Sequence, residues 1–412
     1  MDRAEALTTD VADPLASARS QFSIAEGGPI YLDGNSLGRP SASVIEALAA
    51  AARDWSEDLV RGWSRWIDLP GAVGDRIGRL IGADPGQVVV CDSTTVNLYK
   101  LAAAALAAQP DRRVILADAD DFPTDRYVLQ GLAEATDREL CLLHGGAVEG
   151  LDTEVVDRAI DGDTALVCLS HVNFRSGARL DLAAVTEAAH RHGALVVWDL
   201  SHSAGAIPIG LDEAGADLAV GCTYKYLNGG PGSPAFAYVR QGLQAQLRQP
   251  IWGWFGQQDQ FAMGPTYDPE PGMGHFLTGT PPVLGLVAVE AAAETVESAG
   301  LPALWAKSQR FTAMLVDLVR DRLEPLGATL ASPTDPDRRG AHVSVAHPRA
   351  WAWCNALIDR RLVIGDFRPP DVIRLSPAPL YTRFVDVFDA VERMAEVLEA
   401  GVEDIRDHPR VT

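Results

Sequence analysis

Cysteine is scarce. The five, Cys91, Cys141, Cys168, Cys222 and Cys354, stand far apart, and none forms a C-x-x-C pair. That spacing argues against a zinc ribbon, a redox dithiol or a disulfide framework, and no metal site is expected. Most of the five lie in apolar runs, where buried reduced thiols are expected. Positive charge is also short: 35 Lys and Arg against 56 Asp and Glu leave a formal net charge of −21. A chain so acidic lacks the cationic face that phosphate backbones require, so nucleic acid is not expected as a partner. No apolar run is long enough to span a bilayer, so a membrane partner is not expected either. The opening stretch, MDRAEALTTDVADPLASARSQF, has early acids and no apolar core, unlike a signal peptide. A cytoplasmic location is the expectation.

What the chain does have is length for two cores and an ordinary globular composition, 47% hydrophobic and 22% charged over 412 residues. Between 87 and 239, short apolar runs alternate with amphipathic or alanine-rich stretches. QVVVC at 87–91, Arg113 to Leu116, ALVCLS at 165–170, Ala194 to Trp198, Asp217 to Cys222 and Ala235 to Arg240 read as buried strands. The intervening segments read as helices, including 181–192, with polar loops at the strand ends. This order predicts an α/β fold with a mostly parallel, doubly wound sheet and a ligand site at the C-terminal strand ends. Residues 41–60 form an amphipathic helix opened by Ser41 or Ser43. A long alanine-rich helix, 283–297, bridges towards a C-terminal α+β region. There is no internal repeat, and the acidic tail beyond about residue 400 is expected to fray.

The chemistry concentrates in 195–234. One strand ends in Asp199 with His202 just beyond; the next delivers Thr223-Tyr224-Lys225 into the turn Asn228-Gly229-Gly230-Pro231-Gly232. An acid at one strand end and a lysine after the next suit pyridoxal phosphate (PLP). The amine condenses with the aldehyde, and the carboxylate keeps the pyridine nitrogen protonated. The bland readings are a turn residue and a solvated charge. Upstream, Asp92-Ser93-Thr94-Thr95-Val96-Asn97 opens a helix. A Ser/Thr cluster there is an N-cap, and free N–H groups with hydroxyls also suit a phosphate. Arg374 lies in an otherwise apolar strand and needs a partner. That partner is either a structural carboxylate or the α-carboxylate of an amino acid gripped by the guanidinium fork.

DLSHSAG at 199–205 and YKYLNGGPG at 224–232 resemble the kynureninases, enzymes of the aspartate-aminotransferase-like fold type I. GNSLG at 34–38, FPTD at 122–125, GWFG at 253–256 and the segment Phe276 to Pro282 follow in collinear order, so the resemblance runs from Gly34 to Tyr381. It implies a large PLP-binding domain (41–285) with a seven-stranded-type sheet, an N-terminal arm (1–40) and a small α+β domain (286–412). It places Thr94, Thr95, Phe122, Asp125, Ser170, Asp199, His202, Tyr224 and Lys225 on the cofactor. Ser36, Trp63 and Arg374 fall on the substrate, with Arg368 structural. Trp254 would reach the cofactor phosphate of a neighbouring subunit and Thr280 the partner's active site, so a homodimer is implied. Where the family commonly has His after GWFG, this chain has Gln257.

The implied reaction is hydrolysis of L-kynurenine, or 3-hydroxy-L-kynurenine, to anthranilate or its 3-hydroxy form and L-alanine, with Lys225, Tyr224 and Asp199 as catalytic residues. Two readings stay open beside it: another fold type I enzyme, such as a cysteine desulfurase-like lyase or an aminotransferase, and a PLP-fold binding protein without catalysis. A desulfurase needs an activated Cys, and Cys354 is the candidate.

Overall fold

A computed structural model describes residues 1–402; the tail expected to fray lies largely outside the described residues. The N-terminal arm carries a short strand, β1 (Ile30–Tyr31). The large sheet follows with β2 (Val88–Cys91), β3 (Val114–Asp118), β4 (Glu139–Leu143), β5 (Thr164–Ser170), β6 (Leu195–Asp199), β7 (Leu218–Gly221) and β8 (Ala235–Val239). Its order is β2-β8-β7-β6-β5-β3-β4. Only β8 runs antiparallel to its neighbours, which gives the mostly parallel sheet that the alternation predicts. Strands β2, β6, β7 and β8 are buried almost throughout because helices cover both faces, so their sequences are continuous apolar runs rather than alternating ones. β4 escapes the pattern because it is an edge strand and most of its side chains are partly exposed.

Helix starts follow local chemistry. Ser41 caps the helix Ala42–Asp58 by accepting from the Val44 N–H, and Ser93 caps Thr94–Ala107 by accepting from Val96. The helix Leu182–His192 begins at Asp181 and ends at Gly193 in the left-handed region, φ 75°, where a side chain would be strained.

The second core lies around a four-stranded antiparallel sheet in the order β12 (Asp366–Arg368), β13 (Val372–Leu375), β10 (Val343–Ala346), β9 (Thr329–Leu330). β11 (Val363–Ile364) pairs in parallel with β1, Ile30 opposite Val363. The arm is thus stitched to the C-terminal region, and Asp10 reinforces this by accepting from Phe384 N and Val385 N at the start of the helix Phe384–Glu399. The helix Val283–Ala299, expected as a bridge, buries Leu286, Val289, Ala293 and Val296 in the large core. It is the next helix, Leu301–Leu318, that spans the two: Leu304 packs in the large core, while Phe311 to Leu318 pack in the small one.

Candidate active site

A cavity of about 320 Å³ opens where the sheet delivers its C-terminal strand ends. β5 brings Ser170 and β6 brings Asp199 to its wall, and the loop after β7 brings Tyr224 and Lys225. Asp199 is 6% exposed, and its Oδ1 accepts from Ser201 N at 2.6 Å. Of the three lysines in the chain, Lys100 is paired with Asp92 at 2.6 Å and Lys307 with Asp13 at 2.6 Å, both lysines buried. Lys225 has no carboxylate partner among the described residues. Its Nζ lies 3.3 Å from His202 Nε2 and 5.9 Å from the centroid of the Phe122 ring.

Burial sets the protonation states around that amine. His202 is pushed well below the usual imidazole range, first by burial and then by Lys225 and Arg374, so it faces Lys225 as a neutral ring. The Tyr224 phenol is pushed up by burial and then by Cys222 and Asp199, so it keeps its proton at neutral pH. Asp125, 3% exposed, is raised well above the carboxylate range by burial and then by the charge of Asp199. Asp121 is raised to about 7, by burial and then Asp118, and Asp118 to about 6 by burial. Asp121 also fixes the end of β5, accepting from Ser170 N at 3.0 Å.

At one end of the cavity the helix Thr94–Ala107 presents its N-terminus, with Ser93, Thr94 and Thr95 on the wall and Gly232 and Ser233 opposite. Asp92, at φ 47°, makes the turn into that helix. The strained turn is held from behind, because Asp92 accepts from Lys100 Nζ and from Thr278 Oγ1, and Lys100 also donates to Phe276 O.

At the other end stand two arginines from the small sheet. Arg374, 1% exposed, donates through Nε to Asp366 Oδ1 at 2.7 Å and through Nη2 to Asp366 Oδ2. Nη1 donates to Phe174 O at 2.7 Å, and Nη2 also reaches Ser36 Oγ at 3.0 Å. The fork expected to meet an α-carboxylate therefore already holds a protein carboxylate. Arg368, expected to be structural, also pairs with Asp366 at 2.6 Å, lines the cavity, and has a buried Nε with no partner.

Residues 304–394 match the kynureninase C-terminal domain. Over 405 residues the chain is 45% identical to the kynureninase of Pseudomonas fluorescens, spanning 96% of this chain and 95% of that one. The chain belongs to the kynureninase family. A kynureninase of Burkholderia pseudomallei is 44% identical over 406 residues, with 96% and 95% covered. Among solved structures, an Escherichia coli cysteine desulfurase superposes with TM-score 0.81 at 18% identity, covering 94% of this chain and 98% of its own. The cysteine desulfurase of Thermococcus onnurineus gives 0.78 at 20% identity, covering 90% and 95%. These likenesses establish the fold, that of the type I PLP enzymes.

Eleven of the residues that the family resemblance singles out meet in the cavity: Ser36, Thr94, Thr95, Phe122, Asp125, Ser170, Asp199, His202, Tyr224, Lys225 and Arg374. Three do not. Trp63 and Thr280 line a separate apolar groove of about 430 Å³ with Trp55, Trp66 and Leu284. Trp63 packs on Trp66 and Phe255 there, so it lies outside the substrate cavity of its own chain. Trp254 is 43% exposed beside Phe261, also off the cavity. Gln257 accepts from Asp268 N at 2.7 Å within its own loop. Sequence reasoning missed Asp366, Ser201 and Ser233, along with His342, whose buried ring lies 5.9 Å from that of His202. The only available signal for Asp366 was the need of Arg374 for a partner.

Proposed function

We propose that the chain is a PLP-dependent hydrolase that cleaves L-kynurenine, or its 3-hydroxy form, to the anthranilate and L-alanine in tryptophan catabolism. The observation that carries this reading is the convergence of an unpaired lysine, a buried carboxylate and a hydroxyl-rich helix N-terminus on one cavity, with arginines across it. The residues fit the cofactor. Lys225 is the single lysine free to anchor it, Asp199 is a buried carboxylate on the cavity wall, and Thr94, Thr95 and the helix N-terminus suit its phosphate. Once bound, the cofactor supplies an electron sink for the pair left at the substrate Cα.

The chain's own residues do the rest. Asp199 holds a proton at the ring nitrogen. Asp125, raised well above the carboxylate range by burial and then by the charge of Asp199, sits beside it as the more readily protonated neighbour. Because Asp366 holds the fork of Arg374, Arg368 on the cavity wall receives the substrate α-carboxylate beside the Nη1 edge of Arg374. Lys225 Nζ takes the Cα proton, and the neutral His202 ring holds that amine in place from 3.3 Å. Water adds to the γ-carbonyl, the Cβ–Cγ bond breaks, and the aryl carboxylic acid leaves. The Tyr224 phenol gives a proton to the alanyl fragment.

A desulfurase reading loses its essential group. Cys354 is 1% exposed inside the helix Ala350–Arg361, and burial pushes its thiol up to about 12. We also propose a homodimer, with a second copy on the apolar groove of Trp63 and Thr280. Trp55 on that groove is 60% exposed, and Leu59, Val60, Trp252 and Phe261 are also more than half exposed, apolar side chains that a partner surface would cover. Sedimentation equilibrium should give a dimer; a fully active monomer would remove this part. The free thiols are consistent with a cytoplasmic location.

The test is incubation of the PLP-loaded protein with L-kynurenine, assaying anthranilate and alanine together, with Lys225→Ala alongside. Equimolar products from the wild type and none from the variant are expected. A yellow protein that yields neither product would overturn the substrate and leave the cofactor.

A further inference from the structure

Between the arm and the C-terminal region lies a second polar cavity of about 290 Å³. Arg19, Arg39, Arg383 and Arg393 line it, against Glu26, Asp386 and Asp389. Most of that negative charge is spent. Asp386 is shared by Arg19 and Arg383, and Asp389 pairs with Arg3. Burial lowers the Arg19 guanidinium, and the nearby charges of Arg383 and Arg39 add to this against Asp386, so the arginines crowd one another. Arg39 has no carboxylate partner among the described residues. Its guanidinium sits 5.4 Å from the Tyr31 ring centroid and 5.7 Å from that of Tyr381, and its Nε is buried with no hydrogen-bond partner. One hydroxyl shares that condition: Thr382 Oγ1 is buried without a partner, on a residue 4% exposed.

Buried donors without acceptors are costly, and here they gather around an uncompensated cation in a concave site. We infer that this cavity binds a small oxyanion, a phosphate or a carboxylate, with Arg39 as its principal cation and the Thr382 hydroxyl as a donor. The site reaches the catalytic lysine through one residue. Gly38, next to Arg39, donates its N–H to Tyr224 O at 2.7 Å, and a Cβ there would lie 2.3 Å from Lys225 O. Asn35 and Ser36, on the same loop, line the catalytic cavity. An oxyanion on Arg39 therefore braces the loop that closes over the lysine turn.

Isothermal titration of the PLP-loaded protein with inorganic phosphate, and separately with succinate, each against chloride at equal ionic strength, tests this. Loaded cofactor keeps its own phosphate site filled. The expected result is saturable binding, one per chain, of at least one of the two anions. Arg39→Gln should weaken it about tenfold or more, the loss of a charge-assisted hydrogen bond, and Thr382→Val by a few-fold. Preference for phosphate would assign a phosphate ester as the natural ligand, and preference for succinate a carboxylic acid. Absence of saturable binding by the wild type, or undiminished affinity in Thr382→Val and Arg39→Gln, would overturn the site. Should Arg39→Gln fail to fold, Thr382→Val decides.

Discussion

Asp366 determines what Arg374 can do. The two stand directly opposite each other in the β12–β13 ladder, where cross-strand side chains meet, and the carboxylate neutralises a guanidinium that is 1% exposed. Asp366→Ala should leave that charge uncompensated and lower stability by about 3–5 kcal/mol, read as a shift in the urea midpoint. Activity should suffer further through KM for the substrate carboxylate. An unchanged midpoint would mean that the pair is not needed to keep Arg374 buried. Lys225 makes the opposite case, a residue defined by lacking a partner. Borohydride reduction of the loaded enzyme followed by peptide mass mapping should find the cofactor on Lys225 alone, since Lys100 and Lys307 are buried in ion pairs. Label on either of those would contradict the assignment. Lys225 was legible because a motif marks it. Asp366 was not, because it reaches Arg374 only once the hairpin register is set.

Elements place these residues by close approach. The loop carrying Asn35 and Ser36 lies on the lysine turn because Gly38 has no side chain. A Cβ there would stand 2.2 Å from Asn228 Oδ1 and 2.3 Å from Lys225 O. Gly38→Ala should therefore push the loop off the turn and cut kcat/KM by on the order of 10²-fold, the cost of a misplacement of about 1 Å. Circular dichroism should stay unchanged. Wild-type kinetics in that variant would show that the contact does not position the amine. The glycine was visible in the sequence as part of GNSLG, but its neighbour in space, about 190 residues on, was not. Helix ends were more accessible. Ser41, Ser93 and Asp181 mark their helices by local hydrogen bonds, which need no tertiary information.

Across the whole molecule, buried titratable groups tie folding to pH. Burial raises Asp33 and Asp121 to about 7 and Asp118 to about 6, and Asp125 well above its ordinary value. The folded chain keeps protons there that the unfolded chain gives up near pH 4. This stabilisation is complete below that range and is lost as pH rises through 6 to 7 and beyond. Buried histidines act in the opposite sense. His171 and His342 are lowered to about 3 by burial and His202 well below its ordinary range, so their contribution is present above the unfolded imidazole range and is lost as pH falls. From about pH 7.2 to 8, once the unfolded histidines are largely neutral, the raised acids dominate the difference in bound protons between the two states. The apoprotein should therefore lose stability over that interval, by up to about 1.4 kcal/mol per pH unit for each proton released. Urea midpoints at about pH 7.2 and 8 would measure the slope, and a rising profile would reverse its sign.

What the sequence determined by itself was local. The strand runs, the helix caps, the glycine turn after Lys225 and the acid at the end of β6 follow from periodicity, capping chemistry and spacing along a few residues. That was enough for the sheet class and for the acid and lysine of the cavity; most of its other residues came from the family resemblance. Tertiary structure decided the rest: the pairing of Asp366 with Arg374, the gathering of Asp118, Asp121, Asp125 and Asp199, and the site around Arg39. It also sent Trp63 and Thr280 to a groove outside the cavity. Each of these depends on distant segments meeting in a fixed register. Such contacts leave no trace in local composition, because a buried charge is stabilised by groups that only the folded chain brings within hydrogen-bonding distance.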